Sequence, residues 1–150
     1  MLKSGLMKEY VLQSLKETRE FAQRFAKNLT PFKANAKVYA LSGDLGSGKT
    51  EFVRSIARAL GVSSSVTSPT FVIQKVYPLR RKKFNNLIHI DAYRLKEGRE
   101  LECLNWKETE NNPGNLIFIE WSGNVVDALP ARAIKLNFEF VNEHSRKIEM

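Results

Sequence analysis

The sequence predicts an α/β fold, a three-layer α/β/α sandwich around a mostly parallel sheet with one antiparallel hairpin. Three observations lead there. Strand-like apolar runs alternate with segments of helical periodicity, the order that yields parallel strands joined by crossover helices. The runs VYAL (Val38–Leu41), LIHID (Leu87–Asp91) and LIFIE (Leu116–Glu120) are apolar almost throughout, as strands covered on both faces are. The first of them passes directly into a glycine-rich turn and then into a helix.

Along the chain, Glu9 to Gln13 has strand-forming residues. Ser14 followed by Glu17 matches a capping box and predicts a helix start. Leu15, Phe21, Ala22, Phe25, Ala26 and Leu29 recur at helical spacing until Thr30-Pro31 ends the run. Lys37–Ser42 reads as a buried central strand. After the glycine turn, Phe52, Val53, Ile56, Ala57 and Leu60 form one helical stripe, and Gly61 suits the position just past a helix end. Phe71–Tyr77 and Asn86–Asp91 read as a hairpin whose tip, Arg80-Arg81-Lys82-Lys83, is basic. Arg94 to about Trp106 is predicted helical, Asn111–Gly114 a turn, and Leu116–Glu120 a buried strand. A short helix is expected near Asn124–Leu129, stopped by Pro130. Ala133–Val141 alternates as an outer strand does, and residues 143–150 are expected to fray.

The turn Gly43-Asp44-Leu45-Gly46-Ser47-Gly48-Lys49-Thr50 satisfies the G-x-x-x-x-G-K-[ST] pattern of a phosphate-binding loop. Glycines let successive backbone N–H groups turn inward as an anion nest, and the following helix adds the positive end of its dipole. This makes the fold expectation P-loop NTPase-like. Lys49 is expected to neutralise β- and γ-phosphates, and the Thr50 hydroxyl to ligate Mg²⁺. Asp44, Leu45, Gly46, Ser47, Gly48 and Glu51 complete the expected nucleotide contacts. A phosphate cradle alone is not a catalyst, so acidic residues are needed at the carboxyl edge of the same sheet. Asp91 and Glu120, each closing an apolar strand, fit that need and become candidates for holding magnesium, directly or through water. No Asn/Thr-Lys-x-Asp element for guanine occurs, which favours adenine and hence ATP.

Size and composition narrow the setting. The 150 residues, 43% hydrophobic, suit one compact domain spanning 1–150. A net charge of +8 attracts polyanions such as ATP, RNA or an acidic protein face. Cys103 is the single cysteine, so no internal disulfide forms, and no Cys/His cluster has metal-ligand spacing. A reducing, cytoplasmic setting is expected, and neither a membrane nor DNA is called for. Cys103 has no evident activating partner and is read as structural. His144 is read as exposed. His89 shares a strand face with Asp91 and reads equally as a packed histidine or a site neighbour.

Four segments together resemble one family: GDLGSGKT with its helix, VTSPTF (Val66–Phe71), HIDAYRL (His89–Leu95) and IEW (Ile119–Trp121). In order and spacing, over roughly residues 9–140, they resemble the bacterial TsaE family, ATPases that assist tRNA threonylcarbamoyladenosine synthesis. The resemblance implies that Thr70 belongs to a switch-like loop facing the nucleotide. It also implies that Asp91 and Glu120 serve magnesium and hydrolysis alongside Lys49, and that Trp121 lines the site. It further implies partnership with TsaB and TsaD, which transfer threonylcarbamoyl to an adenosine of ANN-decoding tRNAs, with tRNA touched indirectly or directly. The polar stretch Gly98–Asn115 and the basic tip Arg80–Lys83 depart from the family's pattern. The tip reads as a solvated turn or as a contact for tRNA or an acidic face.

Two other functions fit parts of the sequence. A small P-loop kinase for a metabolite needs an arginine-bearing lid, and only the Arg80–Lys83 stretch compares. A basic RNA-binding module could use Phe71, Tyr77, Phe84 and Tyr93 to stack bases, although these aromatics suit core positions better.

Overall fold

The structure is a computed structural model that describes residues 6–63, 73–80 and 83–150. Its strands are β1 (Glu9–Leu12), β2 (Lys37–Ser42), β3 (Gln74–Pro78), β4 (Asn86–Asp91), β5 (Asn115–Glu120), β6 (Ile134–Phe140) and β7 (Arg146–Glu149). They form one seven-stranded sheet in the order β1-β7-β6-β2-β5-β4-β3. The central strands β6, β2, β5 and β4 run parallel, and β3, β7 and β1 join antiparallel.

Helices α1 (Leu15–Lys27) and α2 (Lys49–Ala59) cover one face. The predicted cap starts α1: Ser14 Oγ accepts the Glu17 N–H at 3.1 Å, and Glu17 Oε2 accepts the Gln13 N–H at 2.6 Å. Aromatic rings knit this layer to the sheet. The fully buried Phe52 of α2 has its ring centroid 5.3 Å from that of Phe138 on β6 and 5.2 Å from that of Phe25 on α1. The P-loop helix is thereby anchored on the strands that flank the site. On the other face, Ile88, Ile90, Ile117 and Ile119 meet Leu101, Trp106 and Val125. These come from a 3-10 helix at Gly98–Leu104, the short α3 (Trp106–Glu110) and a 3-10 helix at Ser122–Ala128.

Four expectations need correction. The segment read as a continuous helix from Arg94 to Trp106 is the 3-10 helix Gly98–Leu104 followed by α3, because Asn105 adopts a left-handed backbone (φ 53°) between them. The helix expected near Asn124–Leu129 is the 3-10 helix Ser122–Ala128. The Ala133–Val141 region is not an outer strand, since β6 lies between β7 and β2. Residues 143–150 do not simply fray: β7 pairs with β6 on one side and β1 on the other, and Ile148 is buried opposite Phe138 and Tyr10. This adds a second antiparallel region to the single hairpin expected. Apolar burial of Ile148 and two ladders of backbone hydrogen bonds outweigh the charge of the segment.

Candidate functional site

The P-loop leaves β2 at Gly43 and enters α2 at Lys49. Gly43, Gly46 and Gly48 take positive φ angles of 137°, 79° and 104°, the left-handed side of backbone space that turns successive N–H groups toward one point. At Gly43 the constraint is steric as well, because an added Cβ would lie 2.3 Å from the Phe138 carbonyl oxygen of β6 and 2.8 Å from Ser47 Oγ. Gly43→Ala is therefore expected to lower unfolding free energy by on the order of 2–4 kcal/mol, read by urea denaturation. A wild-type midpoint would show that the loop does not press on β6.

Lys49 is almost fully buried, and its ammonium folds back over the loop. It donates to the Gly43 carbonyl, to the Asp44 carbonyl at 2.9 Å and to Ser47 Oγ at 3.3 Å, and it stands 4.4 Å from the centre of the Trp121 ring. Burial pushes its pKa down, opposed by the charges of Glu120, Asp91 and Asp44. A phosphate placed in the loop would relieve that desolvation by direct pairing.

Beside it, the Thr50 hydroxyl donates to Glu120 Oε1 at 2.6 Å. Glu120 ends β5 and is directly opposite Asp91 at the end of β4, so register brings the two carboxylates together at the carboxyl edge of the sheet. Both are buried, and Asp91 Oδ1 accepts the Tyr93 N–H at 2.9 Å. Trp121 follows in a left-handed conformation (φ 56°), a strained state for a bulky residue. The next residue pins the turn: Ser122 Oγ donates to the Leu41 carbonyl of β2 at 3.1 Å. The strained corner thus aims the indole at Lys49.

One open cavity of about 570 Å³ gathers the predicted residues Leu45, Gly46, Ser47, Gly48, Lys49, Thr50, Glu51, Asp91, Glu120 and Trp121. Asp44 joins through its carbonyl. Glu51 is held mainly by cations: Arg54 at 2.9 Å, Arg19 at 3.4 Å and Arg58 at 3.8 Å surround its carboxylate. Thr70, within the expected switch loop, lies outside the described residues, as do Arg81 and Lys82 of the basic tip. His89 is fully buried behind Glu120, so both sequence readings of it hold together. His144 is exposed as expected, and Cys103 is a free, exposed thiol.

Three cavity residues were missed. Arg146 sits on β7, in the segment read as a frayed tail, and its side chain lies 3.6 Å from where a Cβ on Gly48 would stand. Arg54 is one helical turn beyond Thr50, a spacing that could have drawn attention to it. Tyr93 read as a core aromatic, yet it is 56% exposed and packs edge-on against Trp121 with centroids 5.1 Å apart. Tyr77 and Phe84 are buried, as expected.

A mixed sheet with a parallel centre, whose strand β2 runs through a glycine nest into a helix and whose strands β5 and β4 each end in an acidic residue, defines a P-loop NTPase-like fold. The sequence profile described as threonylcarbamoyl adenosine biosynthesis protein TsaE matches residues 12–148, and the chain belongs to the TsaE family. Among its relatives, the tRNA threonylcarbamoyladenosine biosynthesis protein TsaE of Rickettsia prowazekii is 38% identical over 138 residues, covering 91% of this chain and 90% of the relative. The protein of the same name from Streptomyces coelicolor is 37% identical over 122 residues, 81% of this chain and 78% of the relative. The crystal structure of YdiB from Bacillus subtilis superposes with a TM-score of 0.75 at 26% identity, covering 99% of this chain and 85% of that one. Among the described residues, no helix is long and apolar enough to cross a membrane.

Proposed function

We propose that this chain binds ATP with Mg²⁺, hydrolyses it slowly, and serves as the ATPase partner of TsaB and TsaD in threonylcarbamoyladenosine modification of ANN-decoding tRNAs in the cytoplasm. The observation that carries the reading is the Thr50 to Glu120 hydrogen bond of 2.6 Å at the mouth of the Gly43–Thr50 nest. It joins the loop that would hold phosphates to the strand edge that would manage the metal. The hydroxyl donates its hydrogen bond to Glu120 Oε1 and keeps its proton, which leaves the Thr50 oxygen lone pairs free for a cation. An all-oxygen set of Thr50, Asp91 and Glu120 suits Mg²⁺, which prefers few protein ligands and completes its shell with phosphate and water. Bound there, the ion would supply charge neutralisation of the β- and γ-phosphates.

The chain's own residues supply the rest. Backbone N–H groups of Gly46 to Thr50 orient the phosphates, and Lys49 exchanges its loop carbonyls for phosphate oxygens. Glu120 accepts a proton from, or orients, the attacking water. Trp121 and Tyr93 wall the γ-phosphate side. On the opposite side a smaller cavity of about 270 Å³ shares Gly48, Glu51 and Arg146 with the phosphate site and reaches Leu15 and Thr18. With the metal end of the nucleotide at β4 and β5, the ribose and base extend into that space, against Arg146.

The family supports the pathway, because its curated relatives carry tRNA threonylcarbamoyladenosine biosynthesis in their names. The test is reconstitution with TsaB, TsaD, tRNA and threonylcarbamoyl-adenylate. Adding this chain with ATP is expected to turn a single round of modification into multiple rounds, with release of free phosphate. Equal product with and without the chain would rule out the accessory role. Transfer of phosphate to a metabolite would replace it with a kinase.

A further inference from the structure

Behind the carboxylates, the imidazole of His89 on β4 is wholly enclosed, on the same sheet face as Asp91. Its Nε2 lies 3.3 Å from Glu120 Oε2, yet off the line of a hydrogen bond, and neither ring nitrogen completes one among the described residues. Buried polar groups are nearly always paired, so an imidazole left without partners behind a site is a feature to explain. The two oxygens of Glu120 are engaged differently: Oε1 receives the Thr50 hydroxyl and Oε2 faces the imidazole.

We propose that His89 is a positioning residue for Glu120: its Nε2–H bonds Oε2 when the carboxylate turns into its working orientation, which keeps Oε1 on Thr50. The inference rests on the role proposed above for Glu120. A carboxylate held at one oxygen alone can rotate about its terminal torsion, a broad and soft degree of freedom. A second donor on the other oxygen removes that freedom. The imidazole suits the task because β4 and β5 hold it rigidly in register. The bond that the ring nitrogens lack is the one that the working orientation supplies.

The test compares His89→Gln, whose side-chain amide keeps an N–H near the same place, with His89→Met, which has similar length and no donor. The methionine variant is expected to lose on the order of 10- to 100-fold in kcat with KM and nucleotide affinity nearly unchanged, and the glutamine variant to recover most of the loss. Both should unfold near the wild-type temperature. A readout independent of turnover is the crystal structure of the methionine variant beside that of the wild type, in which the Glu120 carboxylate is expected to be turned about its terminal torsion from its wild-type place. The proposal is overturned if both variants lose stability and activity together, or if glutamine does no better than methionine. It is equally overturned if Glu120 keeps its place in the methionine variant. A wild-type chain that releases no phosphate would instead defeat the proposed ATPase, while the position of Glu120 in that crystal would still judge His89.

Discussion

Lys49→Ala is expected to weaken ATP binding by at least about 100-fold, close to 2.7 kcal/mol, and with it to abolish turnover. The size of the effect follows from two losses at once. The ammonium is the cation that the phosphates of the proposed ATP would meet, in a buried place where charge pairing is worth more than in water. It is also the internal strut of the loop, tying together the Gly43 and Asp44 carbonyls and Ser47 Oγ. Without it those carbonyl dipoles point at the ligand unopposed, and repel it. The same burial lowers the lysine's pKa, so the folded chain holds this charge at a disadvantage. Titration calorimetry of both proteins with ATP and Mg²⁺ decides the matter. Wild-type affinity in the alanine variant would remove the nucleotide from this loop.

Glu120→Gln is expected to lower the rate of phosphate release by on the order of 100- to 1,000-fold with ATP affinity kept or improved. Glutamine matches the carboxylate in shape, and its amide oxygen still accepts from Thr50, so the loop and strand stay joined. The negative charge and the proton acceptor go. Asp91, in register beside it, remains as the second acidic group, so metal-dependent binding is expected to persist. Single-turnover phosphate release measured together with equilibrium nucleotide binding separates the two quantities. Unchanged release would move the hydrolytic role to Asp91. Loss of binding and release in equal proportion would make Glu120 a ligand-holding group only.

Much of this candidate site is legible in the sequence alone. The loop from Gly43 to Thr50 reads directly because its chemistry is local: glycines permit positive φ and the spacing delivers Lys49 and Thr50 to one place. The strands ending in Asp91 and Glu120 read from their apolar runs, each closed by one acid. That these two acids sit opposite one another is a matter of register between β4 and β5, which no single segment contains. Arg146 was illegible for the same reason. Its strand has four residues with one buried apolar side chain, Ile148, so it carries too little pattern to be recognised alone. It exists because β6 and β1 offer hydrogen-bonding edges on either side. The helix expected over Arg94–Trp106 failed at Asn105, where one left-handed residue splits the segment and lets Trp106 turn its indole N–H to the Ala128 carbonyl at 3.1 Å.

By itself the sequence determined the phosphate-loop class, the strand–loop–helix unit and the identity of the acidic candidates, since each depends on residues near one another in the chain. Only the tertiary structure decided which side chains face each other across that unit: Thr50 on Glu120, Lys49 beneath Trp121, His89 behind the carboxylate, and Arg146 beside Gly48. Those meetings depend on strand order and register, set by burial summed over the whole sheet rather than by any local pattern.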